Sequence, residues 1–203
     1  MRFPDFTKLF VDGSTVESEY GEVTLSNFDA GTLTLTTGRL VACDPLFIDP
    51  TAYVRSVHPG TYPVTLSVAH FSDADQRVAA AMLRITERRP VAWEMALIAG
   101  QDINTLMEGE IYGYPVDSGT GCFMDAETAE ALDDNEEFED VLTRELNKTY
   151  VETWSWTNLN VDGLKNLNVV AFSSGMGEGL YASYFGLDED NAVACVVTDF
   201  ALF

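Results

Sequence analysis

Residues 61–70, TYPVTLSVAH, contain the pattern that decides the fold class of this chain. Their apolar side chains stand at every second position: Tyr62, Val64, Leu66 and Val68. Side chains alternate between the two faces of a β-strand, so this spacing predicts a strand with one buried face. His70 continues the same parity and is expected to be a hydrogen-bonded histidine at the end of that strand.

The same alternation recurs along most of the chain. Thr32–Leu35 alternates, and Trp93, Met95 and Leu97 share one parity. Further strands are predicted over residues 20–25, 39–43, 77–86, 110–116, 150–157, 167–173, 180–186 and 192–202. Turns are predicted at Asp29-Ala30-Gly31, Pro59-Gly60, Asp162-Gly163 and Asp188-Glu189-Asp190-Asn191. About ten short strands predict a mainly β protein, either an antiparallel β-sandwich or a barrel-like sheet.

One segment, from about residue 125 to 148, departs from this pattern and predicts a helical insertion. Asp125 is placed to cap the first helix. Apolar residues share a face in each half: Ala126, Ala129 and Leu132, then Phe138, Val141, Leu142 and Leu146. The run Asp133-Asp134-Asn135 is predicted to divide two helices. No linker or repeat is evident, so residues 1–203 are expected to form a single domain.

The chain is strongly acidic, with 33 Asp and Glu residues against 11 Lys and Arg residues and a formal net charge of -22. Such a surface repels phosphate, which argues against direct binding of nucleic acid or of an anionic membrane. Six acids cluster on the predicted helices: Asp133, Asp134, Glu136, Glu137, Glu139 and Asp140. They are either an interaction face for a basic protein partner or a solvated helix surface, and salt adaptation also explains the overall charge.

Three cysteines, Cys43, Cys122 and Cys195, lie among apolar neighbours and lack the spacing of a metal site. We therefore expect buried, reduced thiols. The sequence shows neither a secretion signal nor an apolar run long enough to span a membrane. These features together predict a cytoplasmic protein.

The stretch VDSGT, residues 116–120, is spelled like the catalytic turn of an aspartic protease. That chemistry needs two carboxylates sharing one proton, and the sequence has no second Asp-Ser/Thr-Gly. Asp117 is therefore expected to be structural. Asp117 and Ser118 are predicted to form a turn in which Gly119 and Gly121 adopt positive φ.

Other catalytic chemistry has few candidates. The two histidines, His58 and His70, have no neighbouring nucleophile or metal-ligand pattern, so no metal and no cofactor are expected. The turn at 188–191 lacks the glycine and glutamate of a calcium loop. The glycine-rich stretch 172–179 lacks the P-loop lysine and a following helix. It is either a wide hairpin connection or a loop whose amides hold an anion.

Four blocks of sequence carry a likeness to a known family: Gly38–Pro45, Pro59–Val64, Gly113–Asp125, and Gly175–Tyr181 followed by Val197–Phe200. On these blocks the chain resembles a bacterial family catalogued as domain of unknown function 4241. Members of that family usually carry alanine at the position of Ser118, so the resemblance weakens the protease hypothesis further. It implies no established activity.

Two functional hypotheses follow. The first is a non-enzymatic binding protein, such as an inhibitor or immunity-type partner of a basic protein, that uses the acidic helices. The second is a small-ligand-binding module or hydrolase with a site at the loops 117–122 and 173–179. Candidate binding residues for that site, expected at one end of the sandwich, are Arg39, Asp44, Asp117, Thr120 and Glu178. The oligomeric state stays open.

Overall fold

A computed structural model describes residues 3–18, 21–132, 135–151, 153–161 and 167–203. Within these ranges, twelve strands form two antiparallel sheets accompanied by two α-helices, which confirms the predicted mainly β fold. The strands are β1 (Thr15–Ser18), β2 (Gly21–Leu35), β3 (Leu40–Cys43), β4 (Gly60–Ser72), β5 (Asp75–Arg84), β6 (Ala92–Met95), β7 (Tyr114–Val116), β8 (Thr120–Asp125), β9 (Trp156–Asn160), β10 (Asn168–Ser173), β11 (Gly179–Leu187) and β12 (Val193–Asp199).

The larger sheet curls into a half-barrel with the strand order β1-β2-β4-β5-β12-β11-β6, and β7 also pairs with β11. The smaller sheet has the order β3-β8-β10-β9. Both faces of the smaller sheet are covered, since the main core lies between the two sheets and the helices pack on its other side. Strands β1 and β6 are the ends of the larger sheet.

The apolar side chains that alternate along the predicted strands lie in the buried clusters, as the sequence predicts. Val64, Leu66 and Val68 are at most 2% exposed and face the smaller sheet. Trp93 and Met95 lie on the outer face of the larger sheet, where the 3-10 helix Phe6–Phe10 covers them. That short helix is held in place by the ring of Phe6, which stacks on Tyr184 with ring centroids 4.3 Å apart.

The predicted helical insertion is confirmed as two helices, α1 (Ala126–Leu132) and α2 (Glu136–Thr149). The Asp125 carboxylate accepts a hydrogen bond from the Glu127 amide at 3.0 Å, which caps α1. Asn135 caps α2 in the same way by accepting from the Phe138 amide at 3.0 Å. Phe138 and Leu142 anchor α2 on the smaller sheet. Asp133 and Asp134 lie outside the described residues.

The local structure differs from the predictions in several places. The turn expected at 29–31 is a β-bulge inside β2, because Gly31, at φ +88°, lets the strand continue past an extra residue. The strand expected over 150–157 begins only at Trp156, and Val151 makes an isolated bridge with Trp154. Strand β1 was not expected. Tyr20 and the turn at 162–163 lie outside the described residues.

In the part of the chain that the structure describes, no helix has the length and apolar character needed to cross a membrane.

Candidate functional site

The segment that follows β3 is organised by the carboxylate of Asp44, which is 1% exposed. It accepts hydrogen bonds from the Asp117 amide (3.0 Å), the Ser118 amide (2.8 Å) and the Ser118 hydroxyl (2.7 Å). The Leu46 amide donates a fourth at 2.9 Å. A buried carboxylate needs such donors to offset the loss of its hydration. Asp44 therefore fixes the turn before β8 from a distant part of the chain.

The carboxylate of Asp117 does not hold this turn. Asp117 is exposed, and its side chain makes no hydrogen bond to any residue that the structure describes. The predicted turn at Ser118 is present, since the Ser118 hydroxyl accepts from the Thr120 amide at 3.2 Å. Gly119 has the predicted positive φ of +73°. The expectation for Gly121 is wrong: it lies in β8, where a Cβ atom would come within 2.9 Å of the Tyr114 hydroxyl.

The two glycine-rich loops meet as the second hypothesis requires. The Ser174 amide donates to the Gly119 carbonyl at 3.0 Å, and a Cβ on Gly119 would lie 3.6 Å from the Gly177 Cα. The amides of Gly175 and Gly177 also donate to backbone carbonyls. These three amides are therefore engaged within the protein and do not face an anion. The hydroxyl of Tyr181 braces the second loop by donating to its carbonyls.

The predicted binding residues do not all come together. Asp44 lies behind the 117–120 turn, Thr120 is buried in β8, and Glu178 is exposed beside Gly179, which pairs with Val116. Arg39 precedes β3, whereas Asp44 follows it, so the two residues lie at opposite ends of a four-residue strand. The register, which pairs Leu40 with Asp125 and Cys43 with Cys122, confirms this separation.

A surface that the sequence analysis missed lies beyond Asp44. Asp44 begins a turn in which the Phe47 amide donates a 3.2 Å hydrogen bond to the Asp44 carbonyl. In this turn the Phe47 side chain is 64% exposed. A cleft of about 340 Å³ runs between this turn and α2, lined by Pro45, Leu46, Phe47, Ile48, Leu132, Asn135, Phe138 and Glu139. A neighbouring cleft of about 420 Å³ shares Leu46 and Glu139 and adds Asp140, Thr143, Arg144 and Asn147. We call this region the Phe47 surface.

Two acids of α2, Glu139 and Asp140, line the Phe47 surface. Glu137, Glu139 and Asp140 are exposed, and no cation among the described residues lies within ion-pair distance of them. The helix's own cations, Arg144 and Lys148, pair instead with Glu145 at 3.4 and 2.8 Å, and Lys148 lowers the pKa of that carboxyl. The side chain of Glu136 is not among those that the structure describes. The Phe47 surface thus combines an exposed ring with uncompensated negative charge.

A smaller and more enclosed cleft, of about 100 Å³, reaches inward beside Phe47. Its wall includes Cys43, Tyr53 and Tyr114. Burial raises the pKa of both tyrosines, and the Tyr114 hydroxyl has no hydrogen-bond partner among the described residues. The wall therefore carries two neutral phenols, and Asp49 also lines this cleft.

The family comparison can be set against this geometry. The sequence profile of the family described as "Protein of unknown function (DUF4241)" matches residues 33–198. The chain belongs to the DUF4241 family. The match covers strands β3 to β11, nearly all of β12, both helices, both glycine-rich loops and the Phe47 surface. No curated protein and no solved structure matches the chain.

The histidines of this DUF4241 protein make local contacts. His70 lies 2.6 Å from the Ser26 hydroxyl through Nε2, which confirms the predicted hydrogen-bonded histidine at a strand end. His58 Nδ1 lies 2.7 Å from the Pro59 carbonyl oxygen. Among the described residues, no group of three or more His, Cys, Asp or Glu side chains is arranged to hold a metal ion.

The predicted turn at 188–191 joins β11 to β12 in this DUF4241 protein. Asp188 accepts from the amides of Asp190 and Ala192 at 3.0 Å each, and Arg88 pairs with both Asp188, at 3.0 Å, and Asp190. The Ala192 amide and Arg88 lower the pKa of Asp188. A cleft of about 770 Å³ beside the turn is lined by these paired charges together with Asp5, Arg89 and Glu189. Arg88, Asp188 and Asp190 therefore hold the hairpin turn as well as lining the cleft.

The cysteines are buried and unpaired by disulfides, as predicted. Cys195 belongs to the outer cluster of the larger sheet, whereas Cys43 and Cys122 face α1 and α2. Burial raises the pKa of the Cys195 thiol to about 12, and it also raises that of Cys122.

Proposed function

We propose that this DUF4241 protein is a non-enzymatic binding protein whose Phe47 surface docks a basic protein partner. The observation that carries the proposal is the 64% exposed Phe47 ring at the cleft between its turn and α2, beside acids of α2 that lack cation partners among the described residues. An inhibitor or immunity-type role, in which an acidic protein covers the basic surface of its target, is the form of binding we favour. The thiols fit a cytoplasmic location.

Apolar contact and charge have different parts in this proposal. Burying an aromatic ring contributes about 2 kcal/mol, and aromatic anchors seated in pockets dominate many interfaces. The carboxylates of Glu137, Glu139 and Asp140 mainly accelerate encounter with a cationic surface, and salt screens that effect. The clefts on either side of Leu46 have room for side chains of the partner.

The alternative, a small-ligand or hydrolase site at the loops 117–122 and 173–179, has less support. The Asp44 carboxylate is occupied by four donors, and the loop amides that were candidates for anion binding donate to carbonyls. Residues of these two loops do not line any of the clefts described above.

The test is affinity capture from a lysate of the source cells, followed by binding measurements with the purified captured protein. One variant neutralises the acids (Glu137→Gln, Glu139→Gln, Asp140→Asn), and a second removes the ring (Phe47→Ser). A control variant makes the same charge change at exposed acids elsewhere: Glu108→Gln, Glu189→Gln and Asp73→Asn.

We expect Phe47→Ser to weaken binding at least tenfold, through faster dissociation. The α2 variant should slow association and flatten its dependence on salt, while the control variant binds as the wild type does. If the α2 variant and the control variant lost binding equally, the partner would be attracted to the net charge of the protein and not to the Phe47 surface. Wild-type binding by all three variants would locate the partner elsewhere and overturn the proposal.

A further inference from the structure

Cys43 and Cys122 stand directly opposite each other on the neighbouring antiparallel strands β3 and β8. Their sulfur atoms are 3.7 Å apart, and the Cys122 thiol donates to the Cys43 carbonyl at 3.3 Å. Directly opposite residues of antiparallel strands have Cα atoms about 4.5 to 5.5 Å apart, which lies within the range that disulfides span. Small side-chain rotations therefore suffice to reach the S–S bond length of about 2.05 Å.

Cys43 also borders a cleft that opens to solvent. It is part of the wall of the cleft of about 100 Å³ beside Phe47, whereas Cys122 is fully buried behind it. A water molecule needs only about 15 Å³ of such space, so hydrogen peroxide, which is little larger and uncharged, fits this cleft. Larger or charged reagents meet Phe47 and Asp49, which also line the cleft.

We propose that Cys43 and Cys122 are a redox-active dithiol that reduces hydrogen peroxide and becomes a cross-strand disulfide. The Cys43 thiolate attacks one peroxide oxygen, the O–O bond breaks, and Cys43 sulfenic acid and water are formed. The Cys122 sulfur then attacks the Cys43 sulfur and expels the sulfenic oxygen as a second water. The two thiols together lose two electrons and two protons, and one peroxide takes them up to become two waters.

The order of attack follows from the surroundings of each sulfur. Cys43 contacts the cleft, and Cys122 is buried beneath it and has a raised pKa, so Cys122 is suited to resolve the sulfenic acid rather than to form it. Cys195, on the outer face of the larger sheet, belongs to a separate cluster and supplies an internal control. The inference does not depend on the proposed partner.

The test treats the native, fully reduced protein with hydrogen peroxide, then denatures it and alkylates the remaining thiols. We expect mass spectrometry to find two of the three thiols lost to alkylation, a peptide pair joined through Cys43 and Cys122, and full recovery after dithiothreitol. Cys195→Ala should behave as the wild type does, and Cys43→Ser should leave Cys122 alkylatable.

Because peptide mapping of the wild-type chain identifies the bond, the test does not require every variant to fold. Three alkylatable thiols after peroxide treatment, or a disulfide that includes Cys195, would overturn the proposal. So would formation of the Cys43–Cys122 bond only in denaturant, since the reaction would then owe nothing to the native geometry. A Cys43 sulfenic or sulfinic acid without the disulfide would equally exclude Cys122 as its partner.

Discussion

The Asp44 carboxylate accepts two hydrogen bonds from Ser118, one from its amide at 2.8 Å and one from its hydroxyl at 2.7 Å. This contact joins residues 74 positions apart and ties the Phe47 turn to the first glycine-rich loop. The carboxylate that resembles a catalytic group by its sequence context, Asp117, is exposed beside it. The carboxylate that accepts the hydrogen bonds of this loop therefore belongs to Asp44, which lies outside the VDSGT stretch.

Replacing Asp44 by alanine should lower the free energy of unfolding by about 3 kcal/mol, because the buried donors of Asp117, Ser118 and Leu46 lose their acceptor. Urea denaturation followed by circular dichroism measures the change. The matched control is Asp117→Ala, which should stay within about 0.5 kcal/mol of the wild type. If the two variants were equally destabilised, Asp44 would not be the organising residue.

Gly38→Ala should be far more destabilising than Gly100→Ala. Both glycines have positive φ, +73° and +91°, so either alanine carries backbone strain of about 1 kcal/mol. Only at Gly38 would the new Cβ meet another atom, the Val57 carbonyl oxygen at 2.1 Å, whereas Gly100 faces open space. We expect thermal unfolding to show a loss at Gly38 at least about 2 kcal/mol larger than at Gly100.

The hairpin carboxylate of Asp188 should make stability depend on pH. Its pKa is lowered from 3.8 by the Ala192 amide and Arg88, so its contribution is present above that value and is lost as pH falls through the folded-state pKa. Asp188→Asn should therefore be less stable than the wild type near neutral pH, and the gap should close on acidification. Urea midpoints across pH test this, with Glu189→Gln as the exposed control in the same turn. A gap that does not change with pH would contradict it.

The native protein should react slowly with alkylating reagents, although denaturation should reveal three thiols. Burial raises the pKa of Cys195 to about 12 and also raises that of Cys122, so these two groups hold almost no thiolate near neutral pH, and Cys43 is only 3% exposed. Thiol titration with and without denaturant makes the comparison. Rapid modification of all three groups in the folded state would show that the cysteine clusters open readily.

The alternation of apolar residues at every second position predicted which side chains form the core, because this pattern depends only on neighbouring residues in the sequence. Val64 and Leu66 face the main core and Met95 faces the outer cluster, as their parity requires. The sequence Asp29-Ala30-Gly31 predicts a turn, but the structure has a β-bulge there. The two are hard to distinguish from sequence because a nearby aspartate and glycine suit both. Helix caps at Asp125 and Asn135 are likewise local and were predictable.

The candidate site depends on contacts between distant segments, which periodicity does not encode. Nothing in the sequence pairs Asp44 with Ser118. The separation of Arg39 from Asp44, in contrast, follows from the strand predicted over 39–43, because that strand places them at opposite ends. The apolar run Leu46-Phe47-Ile48 directly after Asp44-Pro45 was the available signal for the Phe47 surface, because apolar residues in a connecting turn need a covering element or a partner.

The two end strands of the larger sheet are protected in different ways against pairing with a strand of another chain. Beside β6, the Val54 amide donates to the Leu97 carbonyl and Arg55 pairs with Glu94, so that end is shielded. At β1, the exposed Glu17 lies directly opposite the exposed Glu22 of β2. Like charges on an end strand discourage another chain from pairing with it. The pair of Glu17 and Glu22 should therefore help to keep copies of this chain from adding to one another edge to edge.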